Sequence, residues 1–249
     1  MTAILQVRDV SKRFGGVEAV KGVSFEVERG ALVGLIGPNG AGKTTMVNII
    51  SAHQTSTSGE ILLDGKPIQN YPTFKVAREG VSRTYQQNRL FLEDTVGENI
   101  RTGLVWSGGA HRPNLTYPGA QGTENQRLEA LLALFGLKAY SDVMPNELGH
   151  LVRRRVEIAQ ALALAPKLLL LDEPFAGFSR EEAEELIAIL RECQRGGLTI
   201  LLIEHNMEVV MNICEYLYVM HHGALLASGK PADIQTNEQV VSVYLGASL

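Results

Sequence analysis

The chain has 249 residues and a net charge of −4, and its isoelectric point near 5.9 argues against a broad nucleic-acid-binding surface. Hydrophobic content of 45% with 20% charged residues is ordinary for a soluble globular protein, and the length suits one well-filled core, or one core with a smaller appended part. No stretch reaches the ~18 uninterrupted apolar residues of a membrane span, and the N-terminus lacks a basic region followed by an apolar block. Cys193 and Cys214 stand apart from each other and from any metal-ligand spacing, so a cytosolic chain with two reduced packing thiols is expected.

In chain order, Ile4–Val10 and Val23–Val27 alternate apolar with polar residues and predict two half-buried antiparallel strands, with Lys12–Gly16 as the turn between them. Phe14 in that turn is either an anchor for the hairpin core or an aromatic platform for a nucleotide base, and periodicity does not choose between the two. Ala31–Ile36 predicts a buried strand and Thr45–Ile50 a helix. Between them stands Gly-Pro-Asn-Gly-Ala-Gly-Lys-Thr, from Gly37 to Thr44, which fits the phosphate-loop pattern G-x-x-x-x-G-K-[ST] in a strand-to-helix context. Such a turn aims backbone N–H groups and the positive end of a helix dipole at one point, where an anion is attracted. Gly37, Gly40 and Gly42 admit positive φ or close approach of backbone to phosphate. Lys43 offers a mobile charge for the β- and γ-phosphates, and Thr44 a hydroxyl for Mg²⁺. The segment is therefore read as a nucleoside triphosphate site, in which Pro38, Asn39, Ala41 and Thr45 are included.

Ser58–Gly65 predicts a strand ending in an Asp-Gly turn, and Val81–Gln86 another with Gln86 and Gln87 at its exit. Glu93–Thr102 predicts a short helix, Ser107–Gln121 an irregular loop, and Glu124–Phe135 a helix closing at Gly136. Arg153–Ala165 predicts a helix stopped by Pro166, with Arg153-Arg154-Arg155 as a solvated face. Residues of about 90–165 thus form a mostly helical insert. Lys167–Leu171 suits a parallel strand buried on both faces, with Asp172 and Glu173 at its carboxyl end, where open α/β sheets place their ligand crevice. There Asp172 suits Mg²⁺ and Glu173 the orientation of an attacking water. Ser179–Glu182 is a capping box that opens a helix running to Arg195 and ending at Gly196-Gly197. Leu198–Ile203 predicts a strand with Glu204 and His205 at its exit. A lone His is ordinarily a surface or satisfied residue, although one at this place would reach a γ-phosphate. A helix from Met207, a hairpin around His221–Gly223 and a helical, surface-lying Pro231–Leu249 complete an α/β chain with a parallel core sheet.

Over essentially its whole length the chain resembles the ATP-binding cassettes of ABC transporters. The likeness rests on Gly37–Thr44, Gln86 in Arg-Thr-Tyr-Gln, Leu168–Pro174, and His205 in Ile203-Glu-His-Asn206. It implies a single domain over 1–249 with the P-loop NTPase fold: a RecA-like core sheet, an N-terminal antiparallel β subdomain and an inserted α-helical subdomain. It implies ATP and Mg²⁺ as ligands and ATP hydrolysis coupled to transport. Phe14 becomes the adenine-stacking aromatic, and Gln86 a residue that touches metal and water and couples the site to membrane subunits. Glu173 becomes the catalytic carboxylate and His205 the switch histidine. More narrowly, Arg83–Phe91, the long loop after Trp106, Pro174–Phe178, Glu204–Met207 and the ending Tyr244-Leu-Gly246 are similar to the branched-chain amino-acid importer ATPases, a group that includes urea and amide importers. The implied partners are integral-membrane permeases, a second cassette and an extracytoplasmic solute-binding protein, with no nucleic acid. The implied location is peripheral, on the cytoplasmic face of the inner membrane.

One segment departs from the family pattern. Where the family carries L-S-G-G-Q or L-S-Y-G-Q, this chain has Leu148-Gly149-His150-Leu151-Val152. Family cassettes face head to tail, each ATP lying between one phosphate loop and the other subunit's signature motif. Gly149 offers no hydroxyl, and Leu151 places a branched side chain where backbone should approach the γ-phosphate. The resemblance thus implies one impaired composite site beside a different cassette, or two in a homodimer. Ala176–Ser179 also lacks the aspartate common in that loop.

Overall fold

Apolar alternation carries the first two strands further than the sequence suggests. β1 (Ala3–Phe14) and β2 (Val17–Glu28) pair antiparallel over most of their lengths, burying Leu5, Val7 and Val10 from one and Val20, Val23 and Val27 from the other. The segment expected to be a turn from Lys12 instead continues β1 to Phe14, and the chain reverses at Gly15 and Gly16. The remaining elements are β3 (Leu32–Ile36), α1 (Lys43–Ile50), β4 (Ser58–Leu63), β5 (Lys66–Pro67), α2 (Thr73–Glu79), β6 (Val81–Arg83), α3 (Val96–Gly108) and α4 (Glu124–Leu134). After two short 3₁₀ turns come α5 (His150–Ala163), β7 (Leu168–Asp172), α6 (Arg180–Arg195), β8 (Thr199–Ile203), α7 (Met207–Ile213), β9 (Tyr216–His221), β10 (Ala224–Gly229), α8 (Pro231–Gln235) and α9 (Glu238–Gly246). The computed structural model describes residues 2–85, 90–108 and 116–246.

The chain divides into two compact units, Met1–Glu79 with Thr199–Leu249, and Gly80–Leu198. In the first, β2-β1-β4-β5 form an antiparallel sheet, and β10-β9-β3-β8 lie side by side in a second, with β3 parallel to both β8 and β9. Every residue of β3 and β8 is buried, as apolar runs flanked on both sides require. Glycine at Gly34 allows this packing, since a Cβ there would lie 2.6 Å from Leu217 Cδ2.

In the second unit β6 runs parallel to β7, Val81 opposite Leu168 and Arg83 opposite Leu170. All of β7 is buried. Helix α6 opens with the expected capping box: Ser179 Oγ accepts from the Glu182 amide at 3.2 Å, and Glu182 Oε2 accepts from the Ser179 amide at 2.8 Å. Helix α4 closes at Gly136, φ +66, through Gly136 N–H to Ala133 O and Leu137 N–H to Leu132 O. It opens with a capping box of Thr123 and Gln126, a start signal written in the sequence. Helix α2 is an element beyond those expected; Pro72 just before it and Gly80, at φ +111, just after it are its start and stop signals. No helix among the described residues is long and apolar enough to cross a membrane.

Candidate functional site

The phosphate-loop segment joins β3 to α1 in the first unit. Gly42 at φ +102 caps α1, and Gly37 and Gly40 also take positive φ, at +147 and +77. The glycines at the two ends are demanded by neighbouring backbone: a Cβ on Gly37 would lie 2.1 Å from Met220 O, and one on Gly42 2.5 Å from Ala19 O. Gly40 has nothing within 4 Å, so there the left-handed backbone alone selects glycine. The β9–β10 turn fastens the loop, since the Gly223 amide donates to Ala41 O and the Lys21 amide to Gly223 O. Lys43 is buried, with Nζ donating to Gly37 O at 2.7 Å and Pro38 O at 3.0 Å. The ammonium is thus held over the loop by carbonyls that an incoming phosphate can replace. Asn39, Gly40 and Thr44 are exposed, and Thr45 is half-buried. Fixed turn amides, a cation and an accessible hydroxyl form a cradle for phosphate oxygens and an oxygen-seeking cation.

Two further site residues of the first unit flank water. Phe14 is 44% exposed, with Lys12 Nζ 5.1 Å from its ring centroid, so it is not the anchor of the hairpin core; an open aromatic face remains. His205 at the β8 exit has a side chain 57% exposed, while Glu204 is buried. Glu204 Oε2 accepts from the amides of His205, at 3.1 Å, and Asn206, at 3.4 Å, and Asn206 Oδ1 caps α7. The buried carboxylate fixes the backbone that presents the imidazole.

In the second unit Asp172 ends β7 and is 1% exposed. Its Oδ2 accepts from Arg83 Nη2 at 2.9 Å, and its amide meets Thr84 Oγ1 at 3.4 Å. Glu173 follows at φ +49 and is half-buried. That conformation is uncommon outside glycine and bends the chain sharply just past the strand. Sequence periodicity pointed to the acids but not to Arg83, whose partner is set by the β6–β7 register. Gln86 lies outside the described residues.

The segment Leu148–Val152 forms the entry to α5. Gly149, φ −63 and ψ 158, is the capping residue without a side-chain bond, and Leu148 is buried. His150, Leu151 and Val152 start the helix. The following arginines do not form one solvated face. Arg154 is 1% exposed and donates through Nη1 to Tyr85 O at 2.6 Å and Glu157 Oε2 at 2.9 Å. Arg153 donates to Leu148 O, and Arg155 reaches an exposed partner, Glu185. The helical period explains the correction: Arg154 shares its face with the buried Ile158 and Ala161.

A family model described as "ABC transporter" matches residues 20–176, more than half of the chain. The chain belongs to the ABC transporter family. It is an ATP-binding cassette with the P-loop NTPase fold, an ATPase whose hydrolysis is coupled to transport. A second model, "Branched-chain amino acid ATP-binding cassette transporter", matches residues 224–248. The cassette is 39% identical to the high-affinity branched-chain amino acid transport ATP-binding protein BraF of Pseudomonas aeruginosa, over 98% of both chains. It is 34% identical to the lipopolysaccharide export system ATP-binding protein LptB of Acidithiobacillus ferridurans, over 99% of this chain and 98% of that one. Among solved structures, the ADP conformation of an ATP-binding cassette of an ABC transporter matches with a TM-score of 0.85 and 31% identity, covering 99% of this chain and 100% of that one.

Proposed function

We propose that this cassette powers uptake of branched-chain amino acids. The observation that carries this reading is the near-full-length likeness to importer subunits of that name, reinforced by the separate match over residues 224–248. The lipopolysaccharide exporter subunit, at 34% identity, supports lipid export as the alternative less well.

In this reading 1–249 is one ATP-binding domain with a helical part inserted at about 90–165. The turn amides of Gly37–Thr45 and Lys43 hold the triphosphate, and Phe14 stacks on adenine. Thr44 and Asp172 are the oxygen ligands for Mg²⁺, with Gln86 as a third contact. Bound with the nucleotide, Mg²⁺ neutralises phosphate charge. Arg83 holds the Asp172 carboxylate in place, Glu173 orients and deprotonates water, and His205 responds to the γ-phosphate. Two permeases, a second cassette and an extracytoplasmic solute-binding protein complete the importer, with this chain peripheral on the cytoplasmic face of the inner membrane. Reconstitution with its permease subunits tests cargo: ATP-dependent leucine uptake is expected, and uptake of urea or amides without leucine contradicts the reading.

The entry to α5 favours a second reading, in which the chain acts as a nucleotide-binding clamp beside a more active cassette. Gly149 brings no hydroxyl and Leu151 a branched side chain to a place where a signature motif would face the partner's nucleotide. Glu173→Gln separates the two: transport collapses if this chain is the motor and survives if it is the clamp.

A further inference from the structure

A cavity of about 750 Å³, open to solvent on one side, lies between α7, α8 and α9. Its apolar wall is Met207, Met211, Ile234, Val240, Val241 and the ring of Tyr244. Its polar contributors are Glu208, Asn212 and Gln235, so the one charge among the lining residues is negative. Flexible thioethers and β-branched side chains suit an aliphatic group. A carboxylate and two carboxamides at its exposed rim suit an ammonium and a group that accepts hydrogen bonds, which together are the polar end of an α-amino acid. The α8 and α9 walls fall inside residues 224–248, the stretch matched by the branched-chain amino acid cassette model.

Helix α9 also reaches the phosphate loop. Ser242 and Val243 border a second cavity, of about 390 Å³, whose other walls are Pro38–Ala41 and the His221–His222 pair, with ring centroids 4.0 Å apart. The Tyr244 hydroxyl is buried beside the Gly37 backbone of the phosphate loop. Burial pushes its phenol up to about 12, opposed by the Gly37 backbone beside it. One face of α9 therefore lines the apolar cavity while Tyr244 meets the phosphate loop at Gly37.

We propose that the cavity between α7, α8 and α9 binds an aliphatic α-amino acid on the cytoplasmic side, and that α9 passes its occupancy to the phosphate loop. The identity of the ligand rests on the branched-chain importer reading; the site itself rests on the cavity. A ligand that shifts α9 changes nucleotide affinity only by its differential binding to the two arrangements, typically 5–150-fold.

The test is equilibrium dialysis of L-leucine, L-valine and L-isoleucine against the full-length chain, with and without ATP, beside Val241→Trp, which fills the cavity. Saturable binding of one molecule per chain, abolished in Val241→Trp, is expected. MgATP affinity should shift about fivefold or more with leucine in the parent and not in the variant. ATP binding by Val241→Trp without leucine should match the parent, which also shows that the variant folds. No amino-acid binding by a chain that binds ATP, or binding undiminished in Val241→Trp, overturns the proposal. Leucine uptake by the reconstituted transporter with leucine kept off the cytoplasmic side judges the importer reading separately, since Val241→Trp should leave it unchanged.

Discussion

Arg83 Nη2 lies 2.9 Å from Asp172 Oδ2, with side chains 6% and 1% exposed. The pair is a product of the parallel register of β6 and β7. Removing one partner of a buried pair costs about 3–5 kcal/mol because the other charge stays buried. Arg83→Met should lower the unfolding free energy by about 3 kcal/mol in urea denaturation, and adding Asp172→Asn should recover part of the loss. Unchanged stability in Arg83→Met would show that the pair does not hold this strand end.

Burial likewise separates two adjacent arginines of α5. Arg154→Ala removes a guanidinium bound to Tyr85 O and Glu157 and should cost about 3–5 kcal/mol. Arg155 pairs with a Glu185 side chain that is 63% exposed, and Arg155→Ala should cost less than about 1 kcal/mol. Urea midpoints of the two variants, compared with the parent, check the ordering.

Glycines of the phosphate loop and of the entry to α5 should respond oppositely. Gly37→Ala drives a Cβ to 2.1 Å from Met220 O, so the loop must shift. Nucleotide affinity should fall on the order of tenfold or more, as ~1.4 kcal/mol of strain already gives that factor. Gly149→Ser meets nothing within 4 Å and supplies a capping oxygen to α5, which should gain a few tenths of a kcal/mol. Fluorescent-nucleotide titration and thermal unfolding measure the two effects.

Burial raises the Cys193 thiol to about 12 and pushes the Cys214 thiol up as well. Below the ordinary thiol range folded and unfolded chains both hold these protons, and no pH dependence arises. Above it the unfolded chain releases them while the folded chain retains them, so stability falls as pH rises from about 9 towards 12. Cys193→Ala should flatten that alkaline decline by up to about 1.4 kcal/mol per pH unit. A decline of equal slope in the variant would contradict the burial of the thiol.

The phosphate loop, the capping box of α6 and the buried run of β7 were legible because each is written in consecutive residues whose local geometry decides the outcome. The length of β1 was not: Asp9 at φ +49 and Gly22 at φ +56 break the strict alternation on which strand reading depends. Arg154 is buried rather than solvated because its acceptor, Tyr85 O, is distant in sequence, although its period with Ile158 marks the buried face. Phe14 stayed ambiguous for the same reason, since only the folded hairpin shows that its ring stands clear of the core. Arg83 stands out in the sequence only within a family-like segment, and its pairing with Asp172 is invisible there because strand register rather than spacing makes it.

The most direct measurement is equilibrium binding of MgATP to the purified chain and to Lys43→Ala. Lys43 now bonds to Gly37 O and Pro38 O, and a phosphate taking their place gains charge-assisted contacts of about 3 kcal/mol, or some two orders of magnitude in affinity. Saturable binding by the parent with a loss of about a hundredfold in Lys43→Ala is predicted. A parent chain that takes up no MgATP, or a Lys43→Ala chain that binds it equally well, contradicts the central claim.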